Sequence, residues 1–353
     1  MEIGEKLITW YEKTKRDLPW RRTKDPYKIW ISEVILQQTR VEQGTPYYYK
    51  FIETFPSVEF LANCQQDELM KLWEGLGYYS RARNLHKAAK QIVEHHSGNI
   101  PDNYEALLKI SGIGPYTAAA IASIAYNLPH AVVDGNVQRV ISRLFGIEQA
   151  VNSLDGKNII SEIAEKLLIK NNSSSHNQAI MELGALICKP RKPECEHCPV
   201  NEHCVAFEKQ KPEAYPVKLK KNEVKNRFFS YYFVLTGKNI LLRRRPEGDI
   251  WTGLWEPILN EQTGDQNLDS LSDKLNGEHE LMVIYAGKPQ KHLLTHQRIN
   301  YQIKIILHPD PEFSIDGYEK IYIGDIHDKA YPIHIKKFLK SPEISALIDK
   351  YSE

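Results

Sequence analysis

The chain has 353 residues, with 46 Lys and Arg against 45 Asp and Glu, a formal net charge of +1. That length suggests two domains, and the near-zero charge excludes a protein that is basic throughout, so any nucleic-acid surface must be local. No apolar run reaches membrane-spanning length and Met1 to Ile8 carries no secretory pattern, so a soluble, intracellular protein with no membrane partner is expected. Of five cysteines, four crowd into Cys188 to Cys204 and Cys64 stands alone. In a large chain without an export signal, such clustering favours a metal site over disulfides.

Residues 1 to 208 read as helices. Leu18-Pro19-Trp20-Arg21-Arg22 breaks the first helix from the second. That second helix carries Trp30, Ile31, Val34, Ile35 and Val41 on one face at helical spacing. Glu33 lies off this stripe, with Gln37 one turn beyond, and spacing alone favours a solvated surface acid. The corner Gly75-Leu76-Gly77-Tyr78-Tyr79-Ser80-Arg81-Ala82-Arg83 mixes aromatics with arginines. It suits stacking on bases and pairing with phosphates, and equally a plain turn between helices.

Leu107 to Asn136 reads as helix, glycine turn, helix, then a buried carboxylate. Gly112 and Gly114 admit backbone angles closed to other residues, and Pro115 suits the first turn of the helix that runs from Tyr116 to Tyr126. Such a turn presents backbone N–H groups to an anion, or serves as an ordinary corner. Asp134 precedes the amphipathic run Val137, Val140, Ile141, Leu144, Phe145 and so sits at an N-cap, where the helix dipole favours its ionised form. A further helix, Gln178 to Ile187, leads into Cys188-x6-Cys195-x2-Cys198-x5-Cys204. All-sulfur ligation suits an iron–sulfur cluster or tetrahedral zinc, with His197 and His203 as loop residues.

Residues 209–227 are polar and lysine-rich, with Pro212 and Pro216, and read as a solvated linker. From 228 to 353 the pattern changes to α+β. Strands are expected at Phe228–Leu235, Asn239–Arg244, Glu280–Ala286, Lys291–Thr295 and Tyr301–Leu307, and a helix with Phe338 and Leu339 after Pro332.

Six motifs carry a resemblance: Leu18-Pro19-Trp20-Arg21, Ser32-Glu33-Val34-Ile35-Leu36-Gln37-Gln38-Thr39, Gly75-Leu76-Gly77-Tyr78-Tyr79, Gly112-Ile113-Gly114-Pro115-Tyr116, Val133-Asp134-Gly135-Asn136-Val137 and the four-cysteine loop. Together they resemble the MutY family of adenine DNA glycosylases, in the helix-hairpin-helix superfamily. The cysteine spacing is that superfamily's 4Fe-4S loop, which decides the cofactor against zinc, and Ser32 to Thr39 points to the adenine branch. The resemblance implies an all-α helix-hairpin-helix glycosylase domain with the cluster loop, then an α+β Nudix-like domain. It implies base-excision repair of double-stranded DNA in which adenine faces 8-oxoguanine or guanine.

By the same resemblance Glu33 is the acid that protonates adenine N7, and Asp134 is the stabilising or nucleophilic anion. Tyr116 and Asn136 support them, Cys188, Cys195, Cys198 and Cys204 hold the cluster, and Gln38, Tyr78, Gly112, Gly114, Arg21 and Leu36 contact DNA. The related endonuclease III has a lysine where this chain has Tyr116; a tyrosine forms no imine, so a monofunctional glycosylase is expected. Arg243-Arg244-Arg245-Pro246 and Gly253-Leu254-Trp255-Glu256 fit the opening hairpin of the Nudix-like module. No spaced glutamate set of the magnesium-binding kind is found, so the module should recognise and not hydrolyse. The family's Phe-Ser-His turn is matched by Leu294-Thr295-His296, which makes Thr295 and His296 the readers of the opposite base. A monomer is expected, cytoplasmic and, in a prokaryote, associated with the nucleoid. Two rivals remain: an endonuclease III-like glycosylase of other specificity, and a noncatalytic iron–sulfur DNA sensor.

Overall fold

The computed structural model describes residues 2–219, 224–262 and 281–352. Among the described residues twelve α-helices come first: α1 (Glu2–Thr14), α2 (Pro26–Leu36), α3 (Val41–Thr54), α4 (Val58–Asn63), α5 (Gln66–Leu72), α6 (Ser80–His96), α7 (Tyr104–Leu108), α8 (Pro115–Tyr126), α9 (Gly135–Phe145), α10 (Leu154–Leu167), α11 (Ser173–Leu186) and α12 (Val205–Glu208). Eight strands among the described residues follow, then the helices α13 (Ile333–Leu339) and α14 (Pro342–Ser352). No helix among the described residues is long and apolar enough to cross a membrane.

The chain folds as two compact units, Met1–Cys64 with Arg83–Lys220, and Gln65–Ala82 with Lys221–Glu353. The sequence suggests one division in the linker; the structure also assigns the segment bearing Tyr78 to the second unit.

In the first unit α2 starts where Asp25 accepts from the Tyr27 N–H at 2.9 Å, with Pro26 at the first helical position. The amphipathic reading of α2 needs correction. Eight of its eleven residues are buried, Glu33 among them, so the helix is enclosed on nearly every side. The close partner is α8, where Ala118, Ala119, Ala120 and Ala122 are buried and lack the bulk to hold α2 away. Helix α11 packs on α1, α8 and α9, and starts earlier than expected, at Ser173. At Gly184 an added Cβ would lie 2.5 Å from the Asn136 Cβ, so α11 and the start of α9 touch through a missing side chain.

The solvated linker is also corrected. The Val151 N–H donates to the Val217 carbonyl at 3.0 Å, and the Leu219 N–H to Asn152 Oδ1 at 2.8 Å. Arg143 donates to the Pro212 and Tyr215 carbonyls, so residues 212–219 lie along the helical unit. Residues 220–223 of the linker are outside the described residues, and its last three, Lys225 to Arg227, already belong to the first strand.

In the second unit β1 (Lys225–Thr236) pairs in parallel with β7 (Gln297–His308) over their whole length, Lys225 opposite Gln297 and Thr236 opposite His308. Around them lie β2 (Asn239–Arg244), β3 (Trp255–Glu256), β4 (Ile258–Gln262), β5 (Met282–Ala286), β6 (Gln290–Leu293) and β8 (Glu319–Tyr322), in antiparallel pairs. One face of β1 and β7, with Phe229, Tyr231, Phe233, Ile299, Ile303 and Ile305, is buried in one core with Ile335 and Leu339 of α13. Strand β7 begins four residues before the expected Tyr301, because Ile299 continues the buried alternation through a polar stretch. The short strands β3, β4 and β8 were not expected, and Glu280 is outside the described residues. The expected strand Lys291–Thr295 ends at Leu293, which leaves Thr295 and His296 exposed in the turn before β7.

Candidate active site

In the first unit a cavity of about 410 Å³ is lined by Glu33 and Leu36 of α2, Arg21, Tyr116 of α8, and Asp134 and Asn136 at the start of α9. Tyr116 donates its hydroxyl hydrogen to Glu33 Oε2 in a short bond. Asp134 caps α9, its Oδ1 accepting from the Val137 N–H at 2.7 Å and its Oδ2 from Asn136 Nδ2 at 2.8 Å. Burial pushes the Glu33 carboxyl up to about 7; the Asp134 charge adds to that, while the Tyr116 bond and Arg21 oppose it. Asp134 is also raised by burial, against the pull of the Val137 and Asn136 hydrogen bonds and of Arg139. Burial thus works against the ionised form that the N-cap position favours. With one hydroxyl on Glu33 and several N–H donors on Asp134, a single proton shared by the two belongs on Glu33.

The pocket wall holds residues that the sequence reading missed. Glu182 of α11 is 1 % exposed. Arg16 donates to it through its backbone N–H, Nε and Nη2, at 2.9, 3.0 and 2.7 Å, and Arg21 through Nη1 and Nη2 at 2.9 and 2.8 Å. Burial pushes Glu182 up, but these bonds win and hold it down at about 2. Arg21 is thus engaged by Glu182, with its guanidinium over the Tyr11 ring at 5.3 Å. The signal available was a lone acid in the apolar run Ala179 to Leu186.

The remaining expected residues are placed individually. Gly112 turns at φ +78° between α7 and α8, and an added Cβ there would meet the Asn84 Cβ at 2.6 Å. Gly114 is different: its φ of −88° is open to any residue, and a Cβ would meet nothing within 4 Å. What Gly114 leaves is bare backbone at the start of α8. Gln37 turns inward, its Nε2 donating to Thr117 Oγ1 at 3.3 Å, while the exposed Gln38 has φ +61°. In the second unit Tyr78 has φ +45° and its hydroxyl lies 2.6 Å from Thr295 Oγ1. Non-glycine residues with such angles are uncommon and concentrate at functional sites. His296 is exposed and its carbonyl accepts from the Lys225 N–H.

Residues 31–170 match the HhH-GPD superfamily base excision DNA repair protein model, residues 231–341 a NUDIX domain, and residues 188–204 the iron–sulfur binding domain of endonuclease III. Among curated proteins, the adenine DNA glycosylase of Buchnera aphidicola subsp. Acyrthosiphon pisum is 36% identical over 254 residues, covering 72% of this chain and 73% of that one. The chain belongs to the adenine DNA glycosylase family. It is a base-excision repair enzyme that removes adenine from DNA. The human adenine DNA glycosylase is 40% identical to it over 220 residues, 59% of this chain and 40% of the human protein. Among solved structures, a thermostable thymine-DNA glycosylase is 33% identical at a TM-score of 0.55, covering 59% of this chain and 95% of that one.

An iron–sulfur cluster is the glycosylase's cofactor. Cys188, Cys195, Cys198 and Cys204 are the residues that would hold it. As free thiolates three of them are poorly placed: burial, with repulsion from the neighbouring cysteines, raises Cys195 and Cys204 and pushes Cys198 up to about 12. A metal centre that takes them as thiolates removes this conflict, so the donor set fits. Arg143 of α9, 2 % exposed, organises the loop. It reaches Cys188 Sγ at 3.3 Å and donates to the carbonyls of Lys189, Pro190, Pro212 and Tyr215. Arg139, one turn earlier, donates to the Cys188 and Gly184 carbonyls and to Asn136 Oδ1. The helix that Asp134 caps therefore also fastens the cysteine loop.

Proposed function

We propose that the enzyme hydrolyses the N-glycosidic bond of adenine mispaired with 8-oxoguanine or guanine, and that it leaves an abasic site without cutting the strand. The observation that carries this reading is the joint presence of Glu33 and Asp134 in one pocket, with Tyr116 bonded to the first and Asn136 to the second. A glycosidic bond to a base breaks when a proton reaches the leaving group and a negative charge faces the sugar as it becomes cationic, the division of labour of glycoside hydrolases. Glu33, raised to about 7, retains a proton near neutrality and delivers it to adenine N7. Asp134, anchored by the first turn of α9, remains the anion that steadies the sugar. The adenosine must leave the duplex to reach them. Gln38 and Tyr78 enter the vacated stack, and the backbone at Gly112 to Gly114 holds a phosphate. The cluster stiffens the loop it closes; glycosidic hydrolysis moves no electrons.

Reading of the opposite base falls to the turn Leu294-Thr295-His296. Its support is exposure and chemistry: Thr295 offers a hydroxyl, a donor and an acceptor, beside the hydroxyl of Tyr78. Tyr116 in place of an amine supports hydrolysis without a Schiff base. The test uses duplexes with A:8-oxoguanine, A:G and T:G pairs, with and without alkali to expose abasic sites. Adenine release from the first two, strand cleavage only after alkali, and no thymine release are expected. Glu33→Gln should keep DNA affinity and lose adenine release. Thymine release at a comparable rate, or native turnover by that variant, would overturn the reading.

A further inference from the structure

Residues 65–82 carry Tyr78, and two carboxylates fasten them within the second unit. Asp67, in the first turn of α5, accepts from Arg244 Nη1 and Nη2 at 2.5 and 2.6 Å. Arg244 ends β2 and lies over the Trp255 ring at 4.7 Å, so the anchor is itself packed. Glu74, two residues beyond α5, accepts a short bond from Lys336 of α13 and has Lys71 Nζ 3.8 Å away. Lys71 also donates to the His327 and Lys329 carbonyls. Helix α5 is thus held near both its ends. The Glu74 side chain is 4 % exposed, where a charge is tolerated only when paired, whereas Asp67 at 35 % is partly screened by water.

From Glu74 to Ser80 the chain turns through angles that leave little slack: φ is +103° at Gly75, +68° at Gly77 and +45° at Tyr78. Trp73 Nε1 donates to the Gly77 carbonyl at 3.1 Å, and Arg81 Nη2 to the Leu76 and Gly77 carbonyls at 3.1 and 3.2 Å. This stiff corner presents the Tyr78 ring, 49 % exposed, with its hydroxyl on that of Thr295. Its place relative to Thr295 follows from where α5 is pinned.

We propose that Asp67 and Glu74 are positioning residues for recognition of the base opposite adenine: by holding α5 on Arg244 and Lys336, they set Tyr78 against Thr295 in one fixed arrangement. The inference rests on the reading that the Leu294-Thr295-His296 turn faces that base. Two exposed side chains discriminate between closely related bases only when their geometry is fixed before binding.

The experiment measures single-turnover adenine release by the holoenzyme from A:8-oxoguanine and A:G duplexes, for wild type, D67N, E74Q, D67R, R244D and the D67R/R244D exchange. Each single substitution should lower the ratio of the two rates by about threefold to tenfold, as expected for lost pre-organisation. The exchange should restore most of that ratio, which a general loss of stability would not do. Wild-type ratios in D67N and E74Q, or no restoration by the exchange, overturn the proposal. If E74Q fails to fold, judged by iron content and circular dichroism, the exposed Asp67–Arg244 pair still decides the matter. A wild-type enzyme with equal rates on the two duplexes overturns the reading of the turn, and with it the link to base recognition. Amide exchange of residues 73–82 in the free protein then tests the pinning alone: faster exchange in D67N and E74Q sustains it, and unchanged exchange overturns it.

Discussion

Replacing Glu33 with glutamine should make the folded protein more stable above neutrality while abolishing its activity. The Glu33 carboxyl sits at about 7 in the folded state against an ordinary value of 4.5. Between those values the folded state holds a proton that the unfolded chain has lost, so the stabilising contribution is complete below pH 4.5 and disappears as pH rises through about 7. At about 1.4 kcal/mol per factor of ten, the gap corresponds to about 3 kcal/mol. Glu33 is 7 % exposed, so solvent screening does not dilute the figure much. Glutamine keeps the shape and still accepts from Tyr116, but has no proton to lose. The variant should therefore gain about 3 kcal/mol over wild type between pH 4.5 and pH 8.5, equivalent to about 1 M or more in urea midpoint. Because a two-domain protein with a cluster unfolds in more than one step, the quantity to compare is the variant-minus-wild-type midpoint of the helical signal at each pH. A difference that does not grow with pH would refute the reasoning, since it would mean that Glu33 titrates as an ordinary surface acid.

Other outcomes follow from the same geometry. The single-turnover rate should fall as pH rises through about 7, where Glu33 loses its proton, and a flat profile from pH 6 to 8.5 would exclude it as the acid. Asp134→Asn should slow adenine release by about 100-fold or more, with at most about 1 kcal/mol lost in thermal or urea unfolding because asparagine also caps helices. Gly112→Ala should cost more than about 1 kcal/mol, since it meets both a left-handed angle and Asn84, while Gly114→Ala should unfold like wild type yet bind DNA about tenfold more weakly in a titration. Arg143→Ala should lose about 3 kcal/mol and most of the bound iron, measured by metal analysis, because it removes a buried guanidinium and the donors to four carbonyls of the loop, that of Tyr215 buried.

Features fixed by neighbours in the chain were legible in the sequence. Asp134 caps α9 because the cap is three residues of local geometry, and the cysteine spacing specifies its loop without reference to the rest of the fold. Burial was not legible. Glu33 sits off the apolar stripe of α2, and only the enclosure of that helix on nearly every side, by α8 among others, turns a surface acid into a buried one. Arg16, Arg21 and Glu182 meet across the whole first unit, and no periodicity pairs them. The docked linker escaped for a similar reason: its lysines and prolines read as solvated, while its backbone is what Val151, Asn152 and Arg143 hold. Strands β3, β4 and β8 are short, and β4 and β8 carry polar residues as strand edges often do, so their hydrophobic alternation is too brief to register.

Glu33 and Glu182 are buried in this pocket and Asp134 is partly so, yet burial alone does not set their charge. Glu182 accepts from five N–H donors, two of its partners being guanidinium groups, and falls to about 2. Asp134 accepts from a backbone N–H and an amide, and burial still raises it. Glu33 accepts one hydroxyl and rises to about 7. Each N–H aimed at a carboxylate favours the ion and opposes desolvation, and only at Glu182, with its two guanidinium partners, do the donors prevail. The fold can therefore keep an acid and an anion side by side at neutral pH by distributing donors unequally. A donor added beside Glu33, or water admitted to it, should lower its carboxyl and so, on the proposed role of Glu33, weaken proton delivery.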